Sequence, residues 1–79
     1  MFMMEFETIR DVIAEQMEVD PNSITPKTKF VDDLDADSLD LLQIIDTLQT
    51  IFGMDFANDA TESIQTVGDA VDYVINART

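Results

Sequence analysis

The sequence predicts an all-α domain, a small four-helix bundle of three longer helices and one short third helix, with a long loop between the first and second. Three observations carry this prediction. Apolar residues recur at helical spacing through two long stretches and again near the C-terminus. Two helix starts carry reciprocal capping patterns, Asp37 with Asp40 and Thr66 with Asp69. Only two glycines and two prolines occur in 79 residues, too few for a turn-rich all-β fold, and no stretch reads as a strand. Residues 1–79 form one domain, since a chain of this size buries only roughly 60–65% of its unfolded surface and supports a single core.

The first helix is expected from about Met3 to Glu18. At about 100° per residue, Phe2, Phe6, Ile9, Ile13 and Met17 share one narrow face. Glu7, Asp11, Glu15 and Glu18 lie opposite. Such a stripe is a packing face. Asp20-Pro21 ends the pattern, because Pro21 and Pro26 each disfavour helix at the residue before them. The connection that follows reaches Asp37, and loops of this length are often functional. Ile24, Phe30 and Leu34 are expected to pin it to the core, with Lys27 and Lys29 as a rare basic spot.

The second helix is expected over Ser38–Phe52. Leu41, Ile44, Ile45, Leu48, Ile51 and Phe52 fall within about 120° and should face the core. Leu39 and Leu42 lie outside that arc, on the side of Asp46, and as an i,i+3 pair they form a candidate docking patch. Gly53 is placed to stop the helix. Residues 58–63 suit one short helical turn capped by Asn58. The last helix starts at Thr66 and buries Val67, Ala70, Val71, Val74 and Ile75.

Composition excludes several functions. The net charge is −13, from 17 acids against four basic residues. That surface repels nucleic acid and anionic lipid and steers toward basic patches on protein partners. There is no cysteine and no histidine, which excludes a Cys/His metal site, a disulfide framework and a Cys or Ser–His nucleophile. No apolar run approaches a membrane span and Met1–Met4 lacks the flanks of a signal peptide, so a cytoplasmic location is expected. An enzyme is not expected.

The stretch that organises the chain is Asp35-Ala36-Asp37-Ser38-Leu39-Asp40. Asp37 caps the second helix and Asp40 completes the box, so Ser38 becomes the first helical residue with its hydroxyl turned outward. Asp33, Asp35 and Asp37 alternate like the opening of a calcium loop. However, Ser38 stands where that loop needs glycine and Ile44 where it needs glutamate. The expectation there is loose magnesium or calcium binding at most, with no dedicated metal site.

With DSL preceded by an acidic loop, the FVDDL approach at Phe30–Leu34 and the closing TVGDAVDYV at Thr66–Val74, the chain resembles the acyl carrier proteins nearly end to end. The resemblance implies that Ser38 carries 4'-phosphopantetheine, placed there from coenzyme A by a separate phosphopantetheinyl transferase. The thiol of that group would hold acyl intermediates as thioesters, in fatty acid biosynthesis or a specialised acyl or polyketide pathway. It further implies a discrete monomer whose partners are acyl-transferring and synthesis enzymes with basic patches, read mainly by the second helix. The surface expected to meet them comprises Asp37, Leu39, Asp40, Leu42, Asp46 and Glu62. The bundle residues Phe6, Ile9, Ile44, Ile45, Leu48 and Val71 would be those that part to shelter an alkyl chain.

The chain departs from the family pattern at several places. Asp35 stands where glycine is common, and aspartate tolerates a left-handed backbone better than most residues. Gln43, Gln49 and Thr50 replace usual glutamates, and Asp46 an apolar contact residue. These changes point to a dedicated partner set. Two alternatives stand beside this reading: a peptidyl or aminoacyl carrier, and an unmodified acidic helical adaptor.

Overall fold

A computed structural model describes residues 2–57 and 60–78. Four α-helices are present among them: α1 (Phe2–Met17), α2 (Ser38–Phe52), α3 (Ala60–Ser63) and α4 (Val67–Arg78). α1 packs chiefly against α4 and also against α2, while α2 also meets α3. The fold is the predicted bundle, with a long connection between α1 and α2.

α1 turns Ile9, Ile13 and Ala14 inward and keeps Glu7, Asp11 and Glu15 in water. It ends one residue before the sequence reading, because Glu18 takes a left-handed backbone (φ 57°). The Val19 N–H then reaches back to the Ala14 carbonyl at 3.1 Å and closes the helix. The connection contains an element the sequence reading leaves out, a 3-10 turn at Pro21–Ser23. Asp20 caps it by accepting the Asn22 N–H at 2.9 Å, and Pro21 supplies a preset φ at the turn's start.

Ile24 and Phe30 pin the connection to the core as expected, with Leu34 half-buried, and Ala36 adds a third buried anchor. The pinning is also a backbone matter. Lys29 and Thr66 form an isolated antiparallel bridge, in which Phe30 N–H donates to the Gln65 carbonyl (3.0 Å) and Val67 N–H to the Thr28 carbonyl (2.9 Å). Gly68 N–H donates to the Pro26 carbonyl at 2.8 Å. Two of the N–H groups at the start of α4 that no helical partner can serve are thereby satisfied by the loop. The loop's path into the Ser38 region is fixed from α4 as much as from the core.

α2 occupies the predicted span. Leu41, Ile44, Ile45 and Leu48 are buried and Phe52 is half-buried. Ile51 corrects the expectation: it is 49% exposed. Although it lies on the same angular stripe as Ile44, it lines an open groove with Val12, Gln16, Gln43 and Thr47 instead of meeting the core. Gly53 ends the helix in the left-handed conformation (φ 62°), its N–H donating to the Gln49 carbonyl. α3 is the short third helix; the expected cap Asn58 lies outside the described residues. α4 begins with the predicted reciprocal cap: Asp69 N–H donates to Thr66 Oγ1 and Thr66 N–H to Asp69 Oδ2, both at 3.1 Å. Val67, Ala70, Val71 and Val74 are buried and Ile75 is half-buried.

Candidate functional site

The site is the entry to α2. Asp37, in extended conformation, accepts the Asp40 N–H on Oδ1 at 3.0 Å and, through its carbonyl, the Leu41 N–H at 3.0 Å. Asp40 Oδ2 accepts the Asp37 N–H at 3.3 Å. Both capping roles thus fall on aspartates, which leaves Ser38 at the first helical position, exposed, with no capping duty. On the inner side, Gln16 Nε2 donates to the Asp40 carbonyl at 2.9 Å and ties this first turn to α1.

The approach is equally fixed. Asp35 takes a left-handed backbone with φ 56°, which is the geometry that glycine adopts without penalty. The turn it makes lets Ala36 bury its methyl and donate its N–H to the Phe30 carbonyl at 2.9 Å. Upstream, the Lys29 carbonyl accepts the N–H groups of Asp33 and Leu34, while Asp33 Oδ2 accepts the Lys29 N–H at 2.8 Å. Ser38 is therefore presented by a braced loop.

The acids near the serine do not assemble a metal site. No group of three acidic residues able to hold a metal occurs among the described residues. Of the three alternating carboxylates expected to bind magnesium or calcium loosely, Asp33 is turned back onto the Lys29 N–H and Asp37 onto the Asp40 N–H, two separate backbone donors.

The expected partner-facing residues divide into two places. Leu39 (72% exposed), Leu42 (52% exposed) and Asp46 lie along the outer side of α2. Leu42 and Asp46 line an open groove of about 370 Å³ between α2 and α3, with Ile45, Ala60 and Thr61. Glu62 lines a different groove, of about 360 Å³, with Lys29, Val31, Leu41 and Gln65. Asp37 and Asp40 sit at the cap. Gln49, which stands where the family pattern has a glutamate, is half-buried and its amide oxygen accepts the Phe56 N–H at 2.8 Å. Sequence reasoning misses this role because nothing in a helical wheel shows that the chain after Gly53 returns across the end of α2.

Of the core residues expected to part around an alkyl chain, Ile9, Ile44 and Leu48 have almost no accessible surface, while Phe6 and Val71 line a pocket of about 240 Å³ with Pro26, Gly68 and Asp72.

The family profile described as a phosphopantetheine attachment site matches residues 7–74, which include the capped start of α2 and the exposed Ser38. That match defines the class, a carrier domain modified by a prosthetic arm. The chain is 51% identical over 69 residues to an acyl carrier protein of Lactobacillus acidophilus, which covers 87% of this chain and 86% of that one. Its fold superposes on an acyl carrier protein from Mycobacterium tuberculosis with a TM-score of 0.85 and 33% identity, covering 92% of this chain and 97% of that one. An acyl carrier protein from Enterococcus faecalis superposes with a TM-score of 0.81 at 26% identity, over 96% of each chain. The chain belongs to the acyl carrier protein family. The matched domain is one that carries 4'-phosphopantetheine covalently.

Proposed function

We propose that Ser38 is the attachment point of the 4'-phosphopantetheine and that the chain carries acyl groups for other enzymes, without catalysing a reaction itself. The observation that carries this reading is the division of labour at the helix start. Asp37 caps, Asp40 reciprocates, and the one hydroxyl at that start is exposed and uncommitted to the cap.

The residues present fit the group. An arm ending in a phosphodiester joins at the first turn of a 15-residue helix, where unpartnered backbone N–H groups favour an anion. Asp35, Asp37 and Asp40 oppose it by like-charge repulsion, and water screens both effects. The balance keeps the arm off the protein surface, while Asp35 and the Gln16 bond keep its root fixed. When bound, the group supplies a terminal thiol, the one thiol this cysteine-free chain would have, to hold an acyl unit as a thioester. The Ser38 oxygen is an acceptor only, since the chain has no histidine and the Asp37 and Asp40 carboxylates beside it each accept a backbone N–H of the cap. Activation falls to a phosphopantetheinyl transferase.

The partners in this reading are that transferase and acyl-transferring enzymes of fatty acid or polyketide synthesis, drawn by a −13 surface toward basic patches. Gln43 and Thr50 are exposed without charge and Asp46 is exposed as the one charged residue lining the groove beside Leu42, which favours a specialised set of partners over a general one. No described helix is long and apolar enough to cross a membrane, and a cytoplasmic monomer is the working form in this reading.

The test is the intact mass after incubation with coenzyme A, magnesium and a phosphopantetheinyl transferase. Wild type gains one phosphopantetheinyl unit and Ser38→Ala gains none, with helix content and melting unchanged. A modified Ser38→Ala protein, or an unmodified wild type, defeats the reading.

A further inference from the structure

α3 has four residues, far too few to hold itself as a helix in water. It nevertheless forms one wall of both grooves that flank the outer surface of α2: Ala60 and Thr61 in one, Thr61 and Glu62 in the other. Its position must be imposed from outside: Ala60 and Ile64 bury in the core, and two side chains from two different helices hold the segment that leads into it. Phe56 N–H donates to Gln49 Oε1 of α2 at 2.8 Å, and Ala57 N–H donates to Tyr73 Oη of α4 at 2.6 Å. The Phe56 ring stacks on the Tyr73 ring, centroids 4.6 Å apart and planes 9° from parallel. The fixed segment then hands its geometry on: the Ala57 carbonyl accepts the Ala60 N–H, and the Ala60 carbonyl accepts the Ile64 N–H.

We infer that Gln49 and Tyr73 are positioning residues for partner docking. They clamp the 56–57 segment, and so set where α3 stands against Leu42 and Asp46 of α2. Gln49 would then act on partners through α3 and not by touching them. Its amide oxygen is the functional atom, and its neutrality is incidental, because a glutamate carboxylate accepts the same N–H. Tyr73 contributes an acceptor and a flat ring. The two can be separated, since phenylalanine keeps the ring and loses the acceptor. The functional half of this inference rests on Ser38 being the modified residue; the structural half does not.

The experiment uses the full chain and four proteins: wild type, Gln49→Met, Gln49→Glu and Tyr73→Phe. Residue-resolved amide exchange reads the clamp. Losing one acceptor of about average strength accelerates exchange roughly five- to tenfold at its own donor, so Gln49→Met speeds Phe56, Tyr73→Phe speeds Ala57, and Gln49→Glu speeds neither. A phosphopantetheinyl transferase with coenzyme A reads docking. Gln49→Met and Tyr73→Phe raise the KM for the carrier severalfold at little-changed kcat, and Gln49→Glu restores the wild-type KM. Three results overturn the inference. One is unchanged exchange at Phe56 in Gln49→Met. The second is acceleration spread evenly over all helices, which reports lost stability alone. The third is a Gln49→Glu variant whose KM departs from wild type as far as that of Gln49→Met, which would make Gln49 a direct partner contact. If wild type is never modified, the Ser38 assignment has failed, while the exchange measurements still decide the clamp.

Discussion

Asp37 and Asp40 cap α2 reciprocally, each carboxylate accepting the other residue's backbone N–H, at 3.0 and 3.3 Å. The arrangement uses two acids where a serine would otherwise serve as cap, and it frees the serine between them. It also places two negative charges at the positive end of the helix dipole, where they are stabilising. Asp37→Ala should therefore cost about 1 kcal/mol of stability. Asp37→Asn keeps a capping oxygen and should cost a few tenths at most. Urea unfolding of the two variants compares them, and equal losses would mean that charge, not the cap, is what Asp37 contributes.

Asp35 is held at φ 56°. A residue other than glycine pays strain there, and Asp35 adds a further negative charge to a chain already at −13. Asp35→Gly should be neutral to stabilising by about 0.5–1 kcal/mol, and Asp35→Val destabilising, because β-branched residues resist φ > 0. If Asp35→Gly lowers stability while leaving Ser38 modification intact, the strained turn is not limiting.

Gly68 shows the converse constraint. A Cβ there would stand 2.8 Å from the Pro26 carbonyl oxygen, the same oxygen that accepts the Gly68 N–H. The loop cannot retreat without breaking that bond, so Gly68→Ala should cost about 1–3 kcal/mol. Thermal melting measures this, and a variant as stable as wild type would show that the loop moves away freely from α4.

Much of the fold was legible before the structure. Both capping pairs, the Gly53 stop and the α2 span follow from local rules acting within four residues, and these survive folding unchanged. What was not legible depends on chain returning from elsewhere. Ile51 fits the buried stripe of α2 by angle, yet it sits in an open groove where α1 does not cover it. Gln49 reads as a surface residue until the 54–57 segment crosses back and donates to it. The Lys29–Thr66 bridge joins residues far apart in sequence with no pattern in either. At the site, the exposed first-turn position of Ser38 was readable from its neighbours' capping chemistry, whereas the local bonds of the alternating aspartates were not. Their spacing resembles a metal loop, and only the backbone path shows the Asp33 and Asp37 carboxylates each turned to its own N–H donor.

The surface charge sets a further expectation. Two ion pairs, Arg10–Asp11 and Lys29–Asp32, occur among the described residues, against a net charge of −13. The molecule is 29 Å in its longest dimension. The Debye length is about 30 Å at 0.01 M salt and about 3 Å at 1 M. At low salt nearly every carboxylate therefore repels every other, and added salt removes most of that repulsion. Melting temperature should rise with sodium chloride, and rise further per mole with magnesium. A flat profile would mean that the acids are already too well separated in water to matter.

The last prediction concerns how partners read α2. Leu39 and Leu42 are exposed beside Ser38, and Asp46 is the one carboxylate lining the α2–α3 groove with Leu42. With Gln43 and Thr50 uncharged, few charges remain on that side to steer an encounter, and steering acts mainly on the association rate. The apolar pair should then carry more of the contact energy, about 1–2 kcal/mol for each side chain if a partner buries it fully. Leu42→Ala should raise the KM of a partner such as the phosphopantetheinyl transferase about tenfold, with melting within a degree or two, since half of Leu42 already lies in water. Gln43→Glu with Thr50→Glu should speed association with a basic partner, most at low salt, and steepen its salt dependence. Gln49 stays as it is in this series, because its oxygen holds Phe56. A turnover series against ionic strength for wild type, Leu42→Ala and the double glutamate variant decides the matter. If the double variant matches wild type in both rate and salt slope, the depleted acidic face has no part in partner choice. If Leu42→Ala melts the protein and leaves the KM intact, Leu42 is packing against α3 and the docking face lies elsewhere on the bundle.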